Sequence, residues 1–565
     1  MNRTHQGTAM GVAALDASTL CAAFQVTAAE RPNQGALRTL DGEVAFTYGQ
    51  YAARVRALAT GLHALGVRRG DTVALMLANR PEFHVVDAAV MHLGAVAFSV
   101  YNTSSPEQIA HLFRNAANRV AVTERRFLAN VLAARTPEIE HIVLIDGSDA
   151  GTITLDDLAG RGARGFDFEA SWRAVEPDDV LTLIYTSGTT GPPKAVQLTH
   201  ASVLFQCRAL SQCVSPAVGG RGISYLPTAH VGDRTLNHYY ASMCLGTEIT
   251  SITDHKQIGL ALTTVRPTRF GGVPRVWEKL KAGLEAAGVR DPSQLPEPAK
   301  AAVRARIGLE NVDWCVSSAA PIATDVLRYF LDLGLPLVEG WGMSEASCFA
   351  VLNPLEGNRM GTVGKPLPGV ELRIADDGEM LIRAPLVFRG YRGDPEKTAE
   401  AIDADGWLHT GDIAVMDEDG YVRIVDRKKE IIINSAGKNM SPANIEQKVR
   451  ASSPLIAQVV CIGDRRPYNV ALVVLDPEMA DRWATQRNLP GRGIAELLRH
   501  DELRASIQAA VDEANAALSR VEQIKRFEIV DSEWLPGGAE LTPTLKLRRK
   551  PILEKYRDAI EQLYV

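Results

Sequence analysis

"YTSGTTGPPKAV", residues 185–196, gathers small hydroxyl residues, two glycines and a lysine into twelve positions. Gly188 and Gly191 let backbone amides come close to an anion, while Thr186, Ser187, Thr189, Thr190 and Lys194 add hydroxyl donors and a positive charge. The stretch therefore reads as a phosphate loop. It is not a Walker A loop, which runs Gly-x-x-x-x-Gly-Lys-Ser/Thr from a strand into a helix. Here Pro192 and Pro193 separate the last glycine from Lys194, and a strand-like "AVQL" follows. The kinase and dinucleotide glycine loops fail on the same spacing. The competing reading is a polar surface turn between two strands.

Working outward, residues 48–120 alternate helical and buried-strand patterns: "YGQYAARVRALATGLHALGV", then "DTVALML", "HLGAVAFSVY" and "RVAVTE". That alternation predicts α/β layers with parallel strands. Past residue 411 the texture changes. "IAVMDEDGYVRIV" is two period-2 segments about an Asp-Gly turn. After it, "EIIIN" leads through "SAGKNM" to a helix opened by Ser441 as N-cap and Pro442 in its first turn. A boundary between Asp426 and Lys429 divides the chain into a large multi-layer α/β domain, residues 1–426, and a small α+β domain, residues 427–565, ending in an amphipathic helix "PILEKYRDAIEQLY".

The bulk properties narrow the class. A chain of 565 residues exceeds one ordinary core, and a net charge of −6 argues against a nucleic-acid partner. Seven scattered cysteines with no C-x-x-C pair indicate neither a zinc site nor a disulfide framework, which fits a cytoplasmic protein. No apolar run approaches a membrane span, and there is no signal-peptide pattern. Peripheral membrane contact and a homodimer both remain compatible with the sequence.

Five stretches then fall in one order: "YTSGTTGPPK" (185–194), "YLPTAH" (225–230), "EGWGMSEAS" (339–347), "GWLHTGD" (406–412) with "VDRKKEIIINSAGKNMSPANIE" (425–446), and "LTPTLKLRRK" (541–550). Together they resemble the adenylate-forming superfamily of acyl-CoA synthetases, luciferases and peptide-synthetase adenylation domains. "LPTAH", "GGVPRVWEKL" and the C-terminal stretch resemble its long-chain fatty acyl-CoA synthetase branch. The resemblance implies a large ATP- and acyl-binding domain and a small mobile one. It also implies a two-step reaction, in which acid and ATP give acyl-AMP and pyrophosphate, and the CoA thiol then displaces AMP. ATP and CoA are the co-substrates, Mg²⁺ the cofactor and a medium- to long-chain fatty acid the substrate.

Residue by residue, the resemblance places Thr186 and Glu345 on the metal and the loop 186–191 with Lys194 on the phosphates. Ser318 and Ala319 fall in an adenine-cradling loop, an ordinary strand-to-helix turn being the alternative there. Trp341 stands where the family usually has tyrosine, stacking on adenine, followed by Gly342, Met343 and Ser344. With the phenol hydroxyl absent, any contact it made is expected to be lost. Asp412 takes the ribose, Arg427 lies near ribose and phosphate, and Lys429 is the hinge. Lys546 neutralises charge between carboxylate and α-phosphate during adenylation. His230 belongs to the acyl side, and Gly437 with Lys438 to the CoA side. Three alternatives stay open: an acyl-AMP ligase loading a carrier protein, a synthetase for a bulkier ring-bearing acid, and a noncatalytic nucleotide- or acyl-binding protein.

Overall fold

Thr72–Met76, Val96–Ser99 and Val120–Thr123 are buried at every position. Strands covered on both faces cannot alternate polar with apolar residues, and these runs do not. They pair in parallel at the centre of an eight-stranded sheet. The helix before them, Tyr48–Ala64, starts on a capping box in which Thr47 and Gln50 satisfy each other's backbone. Gly66, at φ 90°, carries the chain out of it.

The computed structural model describes residues 12–565 apart from 187–191, 215–216, 436–437, 490, 492 and 543–545. Val180–Thr186 joins the central sheet in parallel and returns antiparallel as Lys194–Thr199, with Gly390–Tyr391 on the edge beyond. A five-stranded sheet runs Arg269–Gly272, Trp314–Ser317, Leu337–Met343, Cys348–Leu352 and Lys365–Pro366. A third sheet of four strands includes Gly35–Thr39 and Glu248–Ser251.

The expected hairpin is Leu408–Met416 paired with Val422–Arg427, in a four-stranded antiparallel sheet. Its turn is fastened by Asp417, whose Oδ1 accepts from the amides of Asp419 and Tyr421 at 3.1 and 2.9 Å, with Gly420 at φ 82°. Residues beyond it have a hydrophobic cluster of their own, from Ile432 to Ile529, around Ile456–Ile462, Asn469–Leu475 and Ile524–Ile529. Ser441 caps Pro442–Ala451, its side chain accepting from the Asn444 amide. The terminal helix expected as one piece is two, Arg549–Lys555 and Arg557–Gln562. Tyr556 breaks it at φ −101°, its hydroxyl tied to Trp534 Nε1 at 3.0 Å.

Between the two parts of the chain, Ser441 Oγ donates to the Val425 carbonyl at 3.0 Å and the Ala443 amide to Asp426 Oδ2 at 3.1 Å, and farther along the contact is ionic. Arg275 and Lys279, on helix Pro274–Ala286, pair with Asp476 and Glu478, and Glu278 pairs with Arg450.

Several histidines are sealed inside the large part without a charge. His200 Nδ1 accepts from the Leu20 amide at 3.2 Å, and burial pushes its pKa down to about 3. His92 is pushed down to about 4 for the same reason. An unfolded histidine titrates near 6.5, so on acidification below that value the unfolded chain takes up a proton that folded His200 refuses, and stability falls as pH falls. His200→Gln keeps an acceptor for Leu20 without a titrating ring. Its unfolding free energy is expected to depend less on pH between about 6.5 and 4, by up to about 1.4 kcal/mol per pH unit. Thermal or denaturant melts at stepped pH measure this, and parallel pH profiles for the two proteins would refute it.

Candidate active site

The register of the phosphate-loop hairpin sets Thr186 opposite Lys194. Ser187, Gly188, Thr189, Thr190 and Gly191 lie outside the described residues, but the two strands fix where their loop begins and ends. On the next strand Tyr391 pairs with Val196, and its ring lies 4.6 Å from Lys194 Nζ. The Tyr391 hydroxyl donates to Glu345 Oε1 at 2.8 Å. Glu345 is held in the short turn Ser344–Ala346, its carbonyl accepting from the Phe388 amide at 2.8 Å. Thr186, Lys194, Tyr391 and Glu345 thus form one line at the mouth of the loop. Burial, followed by the charge of Glu345, raises the Tyr391 pKa, so the phenol stays a donor.

Tyr391 was not among the residues singled out from sequence. Its only signal was an aromatic between glycines in "RGYRG", and only the antiparallel pairing to Lys194–Thr199 brings it to the loop.

Leu337–Met343 carries the next group. The Gly340 carbonyl accepts from Ser318 Oγ at 2.8 Å, fastening the loop after Trp314–Ser317 to the strand. In that loop Ala319 takes φ 74°, a left-handed backbone that costs a residue with a side chain about 1–2 kcal/mol. At Gly342 a Cβ would stand 1.5 Å from the Cys348 carbonyl oxygen, so the tight return to Cys348–Leu352 requires glycine. Met343 packs on the main core.

Trp341 has a polar edge of its own. Its indole Nε1 donates to Asp412 Oδ2 at 2.8 Å, so a polar contact is made although the tyrosine hydroxyl is missing. Arg427, the cross-strand partner of Asp412, forms an ion pair with the other oxygen, its Nε 2.7 Å away. Burial nevertheless raises the Asp412 pKa, outweighing Arg427, the indole N–H and Lys546.

Lys546 is in the same electrostatic neighbourhood. Its side chain meets solvent, yet it is crowded enough by protein that loss of water, then Arg427, lowers its pKa against the pull of Asp412, Glu345 and Glu430. Lys546 is tied to Thr542, whose amide donates to the Lys546 carbonyl at 2.8 Å and whose Oγ1 accepts from the Lys546 amide at 3.0 Å. His230 is near enough to sense Lys546. Burial, then that lysine, pushes its pKa down to about 4, leaving a neutral ring whose Nδ1 accepts from the Gly232 amide at 3.1 Å.

The predicted residues away from this cluster are Lys429 and Lys438, both exposed. Lys429 follows Lys428, which anchors to Asp377 and Glu379 at 2.6 and 2.8 Å. The Lys438 amide donates to Asn434 Oδ1 at 2.9 Å, and Gly437 lies outside the described residues.

Family models match this chain in two blocks, "AMP-binding enzyme" over residues 24–392 and "AMP-binding enzyme C-terminal domain" over residues 429–565. The chain belongs to the AMP-binding enzyme family. Within this adenylate-forming family it is 47% identical over 451 residues to fadD11 of Mycobacterium tuberculosis, provisionally named a fatty-acid–CoA ligase, covering 73% of this chain and 79% of that one. It is 36% identical over 561 residues to the long-chain-fatty-acid–CoA ligase FadD15 of Mycobacterium bovis, covering 92% of each. Among solved structures, the anthranilate-CoA ligase AuaEII with anthranoyl-AMP matches with a TM-score of 0.78 at 20% identity, covering 97% of this chain and 99% of that one. The adenylation domain of a carboxylate reductase from Mycobacterium chelonae matches at 0.79 and 22%, covering 98% and 92%. At those identities the two structures bear on the fold of this AMP-binding enzyme and on nothing else.

Tyr391→Phe keeps the ring beside Lys194 and removes the hydroxyl that orients Glu345. A hydrogen bond to a charged group is worth about 1.5–3 kcal/mol, so nucleotide-dependent pyrophosphate release is expected to need roughly tenfold more Mg²⁺–ATP for half-maximal rate. An unchanged Mg²⁺–ATP dependence would remove Tyr391 from the site.

Proposed function

We propose that this chain is an ATP- and Mg²⁺-dependent fatty acyl-CoA synthetase acting on medium- to long-chain acids. The observation that carries the reading is the array of Lys194, Tyr391 and Glu345 at the mouth of the phosphate loop, together with the Asp412–Arg427 pair, whose charges act on Lys546 from the far end of the chain. A carboxylate attacking the α-phosphate of ATP brings two anions together, and a cation at that point stabilises the charge as it develops. The names of the mycobacterial relatives support the substrate class.

In this reading residues 1–426 bind ATP and the acid, and residues 427–565 form a small domain that moves about Lys429. A carboxylate oxygen of the acid bonds to the α-phosphorus, the bond to the bridging oxygen breaks, and pyrophosphate leaves. The CoA sulfur then bonds to the acyl carbon, and AMP leaves with the electron pair of the broken anhydride. Lys194, Thr186 and the loop 187–191 hold the phosphates. Trp341, with the loop at Ser318 and Ala319, holds adenine, and Asp412 with Arg427 holds ribose.

Glu345 and Thr186 offer hard oxygen donors that fit Mg²⁺. Tyr391 occupies one carboxylate oxygen of Glu345 and leaves the other for a cation. Among the described residues no three His, Cys, Asp or Glu side chains converge as a cage. That suits an ion ligated mostly by phosphate and water, whose contribution when bound is to draw charge from the phosphates. His230, uncharged, borders the acyl side without adding a second cation. For thioester formation Lys546 withdraws, and the segment of Gly437 and Lys438 comes to the CoA side. Among the described residues no helix is long and apolar enough to cross a membrane.

The test incubates purified protein with ATP, Mg²⁺ and acids of graded length and bulk, with and without CoA, and follows pyrophosphate and acyl-CoA together. Acyl-CoA from medium- or long-chain acids is the expected result. Pyrophosphate without acyl-CoA, or neither product, would overturn it. Lys546→Ala is expected to lose at least about 100-fold in acyl-AMP formation. It should still make acyl-CoA from supplied acyl-AMP within a few-fold of the unsubstituted rate. Equal loss in both half-reactions would remove Lys546 from its adenylation role.

A further inference from the structure

Trp341 sits on Leu337–Met343 of the five-stranded sheet and Asp412 on Leu408–Met416 of the antiparallel four-stranded sheet, so the bond between them spans two sheets. Both residues are largely closed to water, at 9% and 3% exposure. Among the described residues, Asp412 Oδ2 accepts the indole N–H at 2.8 Å, and Oδ1 forms an ion pair with Arg427, whose Nε lies 2.7 Å away. The Asp412 amide donates to Thr410 Oγ1 at 3.1 Å. A carboxylate with one oxygen hydrogen-bonded and the other facing a guanidinium resists turning about its last torsion, and both oxygens retain lone-pair capacity for a further donor.

We infer that Trp341 is a positioning residue for ribose recognition: its indole N–H holds the Asp412 carboxylate so that both oxygens accept from the 2′- and 3′-hydroxyls of a bound nucleotide. The inference rests on the placement of ribose at Asp412 proposed above. It gives Trp341 a role beyond stacking, since a phenylalanine offers a ring face but no donor on its edge. A buried acceptor held at fixed aim discriminates by what it lacks. A deoxynucleotide leaves Asp412 short of a partner it has no water to replace, whereas a carboxylate free to rotate finds another. Arg427 cannot do this alone, because its side chain is half exposed and fixes only one of the two oxygens.

The experiment is equilibrium binding, by calorimetry on the full chain, of AMP, 2′-deoxy-AMP and 3′-deoxy-AMP. The proteins are the unsubstituted chain, Trp341→Phe, Asp412→Asn and the double variant. A second form carries 3-benzothienylalanine at position 341, which has the indole's shape with sulfur in place of N–H. It separates the lost donor from any packing defect of the phenylalanine variant. The preference for AMP over each deoxynucleotide is expected to fall roughly tenfold in both the Phe and benzothienyl proteins. In Asp412→Asn, removing the indole N–H should change the preference no further. If AMP and the deoxynucleotides weaken by one common factor, so that the preference is kept, Trp341 is only a stacking surface and the inference is overturned. If the unsubstituted chain binds none of the three, the ribose site itself is refuted, and the inference with it.

Discussion

A carboxylate taken out of water needs donors fixed around it, and in this chain that constraint falls on Asp412. Arg427 comes from the neighbouring strand, the indole N–H of Trp341 from another sheet, and Lys546 from near the C-terminus. Arg427 and Trp341 touch its two oxygens, and Lys546 acts on it through charge alone. The hairpin holding Asp412 and Arg427 is also the last element before the chain leaves for its second hydrophobic cluster. Whatever moves beyond Lys428 therefore moves relative to a strand that is pinned. Lys428 strengthens the pinning, since its amide donates to the Gly411 carbonyl and its ammonium pairs with Asp377 and Glu379.

Much of this was legible in the sequence, because much of it is local. Gapless apolar runs marked parallel strands, an Asp-Gly turn marked the hairpin, and Ser441-Pro442 marked a helix start. The order of the five stretches carried the family. What could not be read was anything decided by contact across sheets. Tyr391 lies far along the chain from both Lys194 and Glu345, and no spacing rule connects them. Trp341 read as a lost hydroxyl, because sequence names a side chain without saying which atom its edge will meet. The left-handed turn at Ala319 was invisible for a different reason. Alanine gives no hint of positive φ, and the strain is held in place by Ser318, which its hydroxyl fastens to Gly340. Tyr556 divided an amphipathic pattern whose periodicity continues across the break, since hydrophobic spacing records the buried face and not the backbone angle.

The ion pairs between helix Pro274–Ala286 and the C-terminal part have a further meaning. Lys279 and Glu478 are half exposed, whereas Arg275–Asp476 and Arg450–Glu278 are mostly shielded from water. Mobile ions screen the exposed pair over a distance of about 8 Å at the salt of a living cell, and reach the shielded pairs much less. In the proposed movement about Lys429, such a joint would have an outer pair that ionic strength loosens and two inner pairs that salt reaches only once the surfaces have begun to part.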